Sequence, residues 1–284
     1  MDLTEEYVKR VLQALIYIEN HIDEELSLEK LAKVACYSPF HFHRIFQAIT
    51  GETVHQYVKR LRLQKAAGKL RYTEQSVTEI ALDTNYDTPS AFTKAFKQFM
   101  SASPTRYRTL NAFVHTVSEK IKELPMIQPN TIEKKLPNLP LLFIRRYGSY
   151  TKSPGEAWQA MRDFIKREQL PSDKVRYFGI SHDDPEVTSE DKLRFDAAIT
   201  TNQEIREKGE VGRQTLKGGK YAVFIHLGPY QTLEQTFAQI FLKWLPNTQE
   251  QMDESRVIFC EYFHMERLTT APEQLETKIY IPLQ

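Results

Sequence analysis

The 284-residue sequence predicts two domains: an all-α N-terminal domain of two repeated helical units, and an α+β C-terminal domain of two repeated strand-helix-strand modules. Three observations predict this division. The first third is self-similar at a spacing of 49–50 residues, the last half is self-similar at a spacing of 80, and between them the stretch Asn111 to Pro140 carries the proline-rich pieces PMIQPN and LPNLP, which end a helical pattern. The expected domains are 1–110 and 131–284, with a linker over 111–130.

The composition fits that plan. A 41% hydrophobic content fills two ordinary cores, and no apolar run reaches the ~18 residues of a membrane span. The N-terminal MDLTEEYVKR is acidic, unlike a basic leader followed by an apolar segment, so a cytoplasmic protein without a membrane partner is expected. Cys36 and Cys260 lack metal-type spacing and are expected to be buried thiols; no metal or cofactor is expected.

Net charge of +1 conceals a pattern. Residues 1–37 carry eight acidic and four basic side chains, 40–71 one acidic and seven basic, and 89–108 four basic and none acidic. Such blocks are either solvated helix faces or phosphate-facing surfaces.

The first helical unit spans about 27–51. In YSPFHFHRIFQAITG, residues 37–51, the helical period puts Phe42, Ile45, Phe46 and Ile49 on one apolar stripe and Phe40, His43, Arg44 and Gln47 on the other. His41 and His43 stand about 200° apart on that helix with no further ligand beside them, so they form no metal set. His41 reads as a helix-surface or interhelix packing residue. The second unit, about 76–101, repeats the division: Phe92, Ala95, Phe96 and Phe99 are apolar, while Ser90, Thr93, Lys94 and Lys97 face outward. In each unit a short helix and a tight turn precede a helix that opens with proline in its first turn behind an N-cap, Ser38 or Thr88. This is the helix-turn-helix pattern, twice. A connecting helix is expected over about 54–71; its 18 residues span roughly 27 Å and, with the width of the flanking units, are expected to place two outward helices about 34 Å apart, the spacing of successive major grooves.

The segments LSLEKLAKVACYSPFHFHRIFQAITGETVHQYVKRLRLQKA and VTEIALDTNYDTPSAFTKAFKQFMSASPTRYR resemble the two-unit DNA-binding domain of AraC-type transcription regulators over roughly residues 8–110. Cys36, Asn85 and Ser101 stand where that family commonly has glycine, so slightly altered turns are expected. The resemblance implies base-edge contacts from Phe40, His43 and Arg44 in the first reading helix and from Ser90, Thr93 and Lys94 in the second. Arg44 suits guanine, whose O6 and N7 accept from one guanidinium, and Phe40 offers apolar contact. Gln47, Lys59, Arg60, Lys97, Arg106 and Arg108 are the candidates for phosphate contacts. Double-stranded DNA and RNA polymerase are the partners the resemblance implies, and two reading helices in one chain leave monomer and dimer both open.

In the second half, FIRRYGSY at 143–150 and VFIHLGPY at 223–230 are each followed by a helical segment, EAWQAMRDFIKRE and LEQTFAQIFLKWL, and by a later strand, YFGIS at 177–181 and VIFCEYFH at 257–264. The expected sheet carries helices on one face and an open concavity on the other. Alternation places Glu261 on the same side as Val257, Phe259 and Phe263. A carboxylate on an aromatic face is either an edge glutamate paired with water or arginine, or a receptor for a lipophilic cation. RRYGSY, HDDPEVTSEDKLRFDAAI, HLGPY, FCEYF and ETKIYIPL resemble the GyrI-like effector-binding domain over roughly 131–284. That resemblance implies a small, lipophilic or cationic effector held at Glu261, with Tyr147, Tyr150, Trp158, Tyr177, Tyr230 and Phe259 as wall residues. It also leaves two alternatives: a small-molecule hydrolase with Glu261 and Tyr262 activating water, or a drug-sequestering module tethered to DNA.

Overall fold

A computed structural model describes residues 3–117, 125–170, 175–200, 209–263 and 271–284. They form two compact units parted near Ala112. Each follows from its own sequence pattern.

The first unit is helical: α1 (Leu3–Asn20), α2 (Leu28–Val34), α3 (Pro39–Thr50), α4 (Val54–Tyr72), α5 (Val77–Asp83), α6 (Pro89–Met100) and α7 (Pro104–Val117). The starts are set locally. Ser27, Ser38, Thr53, Ser76 and Thr88 each accept a hydrogen bond from a first-turn amide, and the pairs Thr53/Gln56 and Ser76/Glu79 close capping boxes. Phe42 and Phe46 are fully buried against α1, Leu31, Ala32, Tyr57 and Leu61. Phe92, Ala95 and Phe96 form the equivalent buried row of α6. Ile49, expected in the apolar stripe, is instead 41% exposed in the last turn of α3.

The turns differ from expectation in an instructive way. Cys36, Asn85 and Ser101 all take left-handed backbone, with φ of 56°, 59° and 57°, so the turns keep a conformation that glycine adopts without strain. Cys36, expected to be buried, is exposed at this corner, whereas Cys260 is buried and its thiol is pushed up to about 12 by that burial. The helix α7 runs to Val117, into the expected linker, since no proline interrupts residues 111–117. Residues 118–124 of that linker lie outside the described residues.

The second unit is an eight-stranded antiparallel sheet: β1 (Thr131–Leu136), β2 (Leu139–Tyr147), β3 (Tyr177–Ser181), β4 (Arg194–Ile199), β5 (Val211–Leu216), β6 (Gly219–Leu227), β7 (Phe259–Tyr262) and β8 (Glu276–Leu283). Its order is β1-β6-β8-β7-β3-β4-β2-β5. The strand pair β1/β2 and the helix α8 (Ser153–Arg167) recur 80 residues later as β5/β6 and a helix that starts as α9 (Leu233–Gln239) and continues through a π turn, Ile240–Trp244. Exchanging the two modules maps the strand order onto itself, so a pseudo-two-fold axis passes between β7 and β3. Four of these strands, β1, β4, β5 and β8, extend the sheet beyond the two strand-helix-strand modules expected.

One face of the sheet carries the helices. There Ala222, Phe224, Cys260, Ile279 and Ile281 pack with Ile240 and Trp244. The opposite face, expected to be an open concavity, is filled by aromatics where β3, β7, β8 and β6 meet: Phe178, Phe259 and Tyr221 are 0–1% exposed. Phe259 stacks on Tyr280 at 4.4 Å, and Tyr221 meets Phe259 edge-on at 5.3 Å.

Candidate functional site: two exposed helix faces and a buried carboxylate

The outward face of α3 is set by the same packing that buries Phe42 and Phe46. Phe40 is 75% exposed, Arg44 is exposed and His43 is half-buried, and the Arg44 guanidinium carbon lies 5.8 Å from the centre of the Phe40 ring. The cation is therefore loosely pre-set over an apolar surface at the same helix face. On α6 the positions 50 residues later present Ser90 and Lys94 exposed and Thr93 half-buried. His41 packs at the surface beside Tyr37 and Tyr7 from α1, at 5.0 and 6.0 Å.

The basic block at 40–71 resolves into two classes. Arg62 donates to the carbonyls of Ile22 and Glu24 at 3.0 and 2.6 Å, Lys65 pairs with Asp23 at 2.6 Å, and Lys69 pairs with Asp83 at 2.6 Å. Arg60, a phosphate candidate, is buried and bonded to Glu52 through Nε and Nη2, at 3.1 and 2.8 Å. It holds α4 to the end of the first unit and is not placed to meet DNA. Arg108 likewise turns inward: it donates to the carbonyls of Leu70 and Gln75, tying the end of α4 and the following turn to α7. Gln47, Lys97 and Arg106 are exposed, and Lys59 is half-buried.

In the second unit, register separates the expected wall residues. Glu261 pairs with Phe178 across β3 and Lys278 across β8, and Phe259 pairs with Tyr280, so all five share the face away from the helices. Tyr177 pairs with Tyr262 on the helix side, where Trp158 approaches them at 6.2 and 5.5 Å and Tyr230 meets Tyr262 at 5.2 Å. Gly179 makes room there: a Cβ would stand 2.8 Å from the Tyr262 ring. Trp158, Tyr177 and Tyr230 thus form a second aromatic cluster and cannot line one wall with Glu261. Tyr150 is also a correction. Its hydroxyl donates to the carbonyls of Asp183 and Arg194 at 2.9 and 3.2 Å and accepts from the Asp183 amide, so it ties chain segments together. Tyr147 is 43% exposed near the end of β2, in register with Arg194.

Glu261 is a central-strand residue, not an edge one. Its side chain is 6% exposed; Arg176 Nε donates to Oε1 at 2.8 Å and the Tyr280 hydroxyl donates to Oε2 at 2.9 Å. Burial, and then Glu261 nearby, pushes the Tyr280 phenol up, so it stays a donor across the neutral range. Glu261 and Tyr262, adjacent on one strand, point to opposite faces and so do not converge on one water. Arg176, Phe178 and Tyr280 escaped the sequence reading. Alternation in VRYFGIS sets Arg176 and Phe178 on one side, but their meeting with Glu261 depends on strand register.

A second ionic cluster lies on the same face. Arg145 reaches Asp196 with Nε and Nη2 at 2.7 and 2.9 Å, and His182 Nε2 and the Gln214 amide also reach the Asp196 carboxylate, at 2.7 and 3.0 Å. Burial alone would raise the Asp196 carboxyl, but the Arg145 guanidinium, together with the hydrogen bond to His182, outweighs it and holds the carboxyl below the ordinary range. Asp183 and Arg194 form a similar buried pair at 2.7 Å. Among the described residues no helix is long and apolar enough to cross a membrane, and no group of three or more metal-type ligands occurs.

Residues 129–284 match a family described as a GyrI-like small molecule binding domain, and residues 31–109 match a helix-turn-helix domain. The chain is 37% identical over 121 residues to the uncharacterized HTH-type transcriptional regulator YbfP of Bacillus subtilis, covering 42% of this chain and 41% of that protein. It is 39% identical over 94 residues to the right origin-binding protein of Escherichia coli, 33% of this chain and 32% of the relative. To the regulatory protein SoxS of Salmonella typhimurium it is 34% identical over 101 residues, 35% of this chain but 94% of SoxS. The match therefore spans well under half of YbfP and of the origin-binding protein, and nearly all of SoxS.

Proposed function

Because the chain belongs to the GyrI-like small-molecule-binding family through residues 129–284 and carries a helix-turn-helix domain at 31–109, we propose that it is a transcription regulator that reads double-stranded DNA with α3 and α6 and responds to a small effector. One observation carries the DNA half of this reading. Two N-capped helices in one unit bury repeat-equivalent phenylalanines, Phe42 with Phe46 and Phe92 with Phe96, and turn repeat-equivalent polar faces outward.

In this reading Arg44 and Phe40, with His43, contact base edges from α3, and Ser90, Thr93 and Lys94 do so from α6. Gln47, Lys59, Lys97 and Arg106 meet phosphates. The effector, of lipophilic or cationic character, engages Glu261 and the Phe178 ring at the rim where Arg176 lies, with Phe259 and Tyr280 backing the carboxylate from within. An effector alters transcription only by binding two states unequally; the states here are two arrangements of the DNA-bound regulator or of its contact with RNA polymerase.

Selection from a pool of random duplexes at two salt concentrations, with Arg44→Ala alongside, tests the reading. An enriched site with two blocks about one helical turn apart, weakened at one block by Arg44→Ala, is the expected outcome. Salt-sensitive binding with no enriched sequence would refute it.

A further inference from the structure

We propose that Arg176 is a tethered cation already occupying the Glu261 site, which an incoming effector displaces, and that this competition selects bulky aromatic cations over small hydrated ones. The inference rests on the reading of Glu261 as the effector carboxylate. Arg176 donates from Nε to Glu261 Oε1 at 2.8 Å, and its guanidinium carbon lies 5.0 Å from the centre of the Phe178 ring. One carboxylate and one aromatic face are what a lipophilic cation would seek on this side of the sheet.

The pair is unequal in depth. The Glu261 side chain is 6% exposed and that of Arg176 is 45% exposed. The acid is fixed within the protein, while the base stands at the rim. Tyr280 holds the other carboxylate oxygen at 2.9 Å with its ring stacked on Phe259, so the acid keeps an inner anchor if Arg176 leaves. Lys278, in register with Glu261, directs Nζ over the Phe263 ring at 4.7 Å. Releasing Arg176 without a replacement would strand a buried carboxylate, which is costly. Exchange for another cation avoids that cost.

In such an exchange the net charge beside the carboxylate is kept, but the Nε–H bond at 2.8 Å is given up, because a quaternary cation has no donor and holds its charge farther off. Apolar area then decides the outcome. A small quaternary ammonium offers little more than the guanidinium it expels. A cation carrying several rings adds contact with the Phe178 ring face that the guanidinium vacates and with the rim around it.

Calorimetric titration of the full chain with tetraphenylphosphonium and with tetramethylammonium tests the proposal. Removing the internal competitor with Arg176→Met is expected to tighten tetraphenylphosphonium binding about tenfold, the gain that follows if the competitor fills some nine-tenths of sites. Glu261→Gln is expected to weaken it and to abolish the gain from Arg176→Met when the two are combined. Arg176→Lys, which keeps a cation on a long stem, falls in between and guards against a folding defect in Arg176→Met. Tighter binding of tetramethylammonium than of tetraphenylphosphonium, or unchanged or weaker tetraphenylphosphonium binding by both Arg176 variants, overturns the proposal while leaving Glu261 as an effector residue. If neither cation binds the wild-type protein or the Arg176 variants, the effector reading falls with it.

Discussion

Arg60 and Glu52 face each other inside the helical domain, the guanidinium bonded through Nε and Nη2 to one carboxylate, with side chains 9% and 10% exposed. Such a pair is strongly destabilising to break from one side only. Arg60→Ala is expected to lower the stability of this domain by about 3–5 kcal/mol while leaving the salt dependence of DNA binding near its wild-type slope. Urea unfolding and a salt titration of binding separate this from a phosphate-contact role, which would do the reverse.

Arg44 and Lys97 are expected to fail differently. Loss of the Arg44 guanidinium should cost about 1–3 kcal/mol and relax preference at one base position, whereas Lys97→Ala should weaken all sequences alike and reduce the salt slope by about one. Competition binding against single-base variants of the selected site measures both.

The left-handed turn residues offer a stability test. Ser101 and Asn85 have φ of 57° and 59°, and asparagine tolerates that region better than serine. Ser101→Gly should stabilise by roughly 0.5–1 kcal/mol and Asn85→Gly by less. Equal melting temperatures for wild type and Ser101→Gly would show that the strain is relieved elsewhere.

Acid should weaken the sheet domain. Burial pushes the Asp196 and Asp183 carboxyls up, but Arg145 and Arg194 outweigh it and leave both below their ordinary value of 3.8. A depressed folded-state pKa gives stability that is present above the unfolded value and is lost as pH falls below it. Denaturant unfolding between neutral pH and pH of about 2 is expected to show a decline that begins near pH 4. Asp196→Asn should be less stable at neutral pH, with a shallower acid decline. An unchanged slope in that variant would remove Asp196 from the account.

The helices of the first domain were legible because their signals are local. Ser38-Pro39 and Thr88-Pro89 mark starts, and the phenylalanine spacing marks the buried side. The fate of the cations was not legible in the same way. Arg60, Arg62, Lys65 and Lys69 look alike in a basic block, yet their acceptors, Glu52, the carbonyls of Ile22 and Glu24, Asp23 and Asp83, come together only after the helices pack. In the sheet, alternation identified Glu261 as an acid among aromatics. It did not separate Phe259 from Tyr177, Trp158 and Tyr230, because sides are assigned across strands by register. Asp196, inside the segment HDDPEVTSEDKLRFDAAI, carries no local mark of its partner Arg145, 51 residues away.

The pseudo-two-fold of the sheet bears on how many guests one chain holds. The pairs Phe178 with Glu261 and Ile180 with Phe259 exchange when β3 and β7 are swapped, so Phe178 corresponds to Phe259 and Glu261 to Ile180. A scaffold built twice therefore presents the acid once, its mirror place taken by an aliphatic side chain. A guest that answers to that acid is expected to bind one per polypeptide, because the two halves of the framework are alike in strand order and unlike in charge.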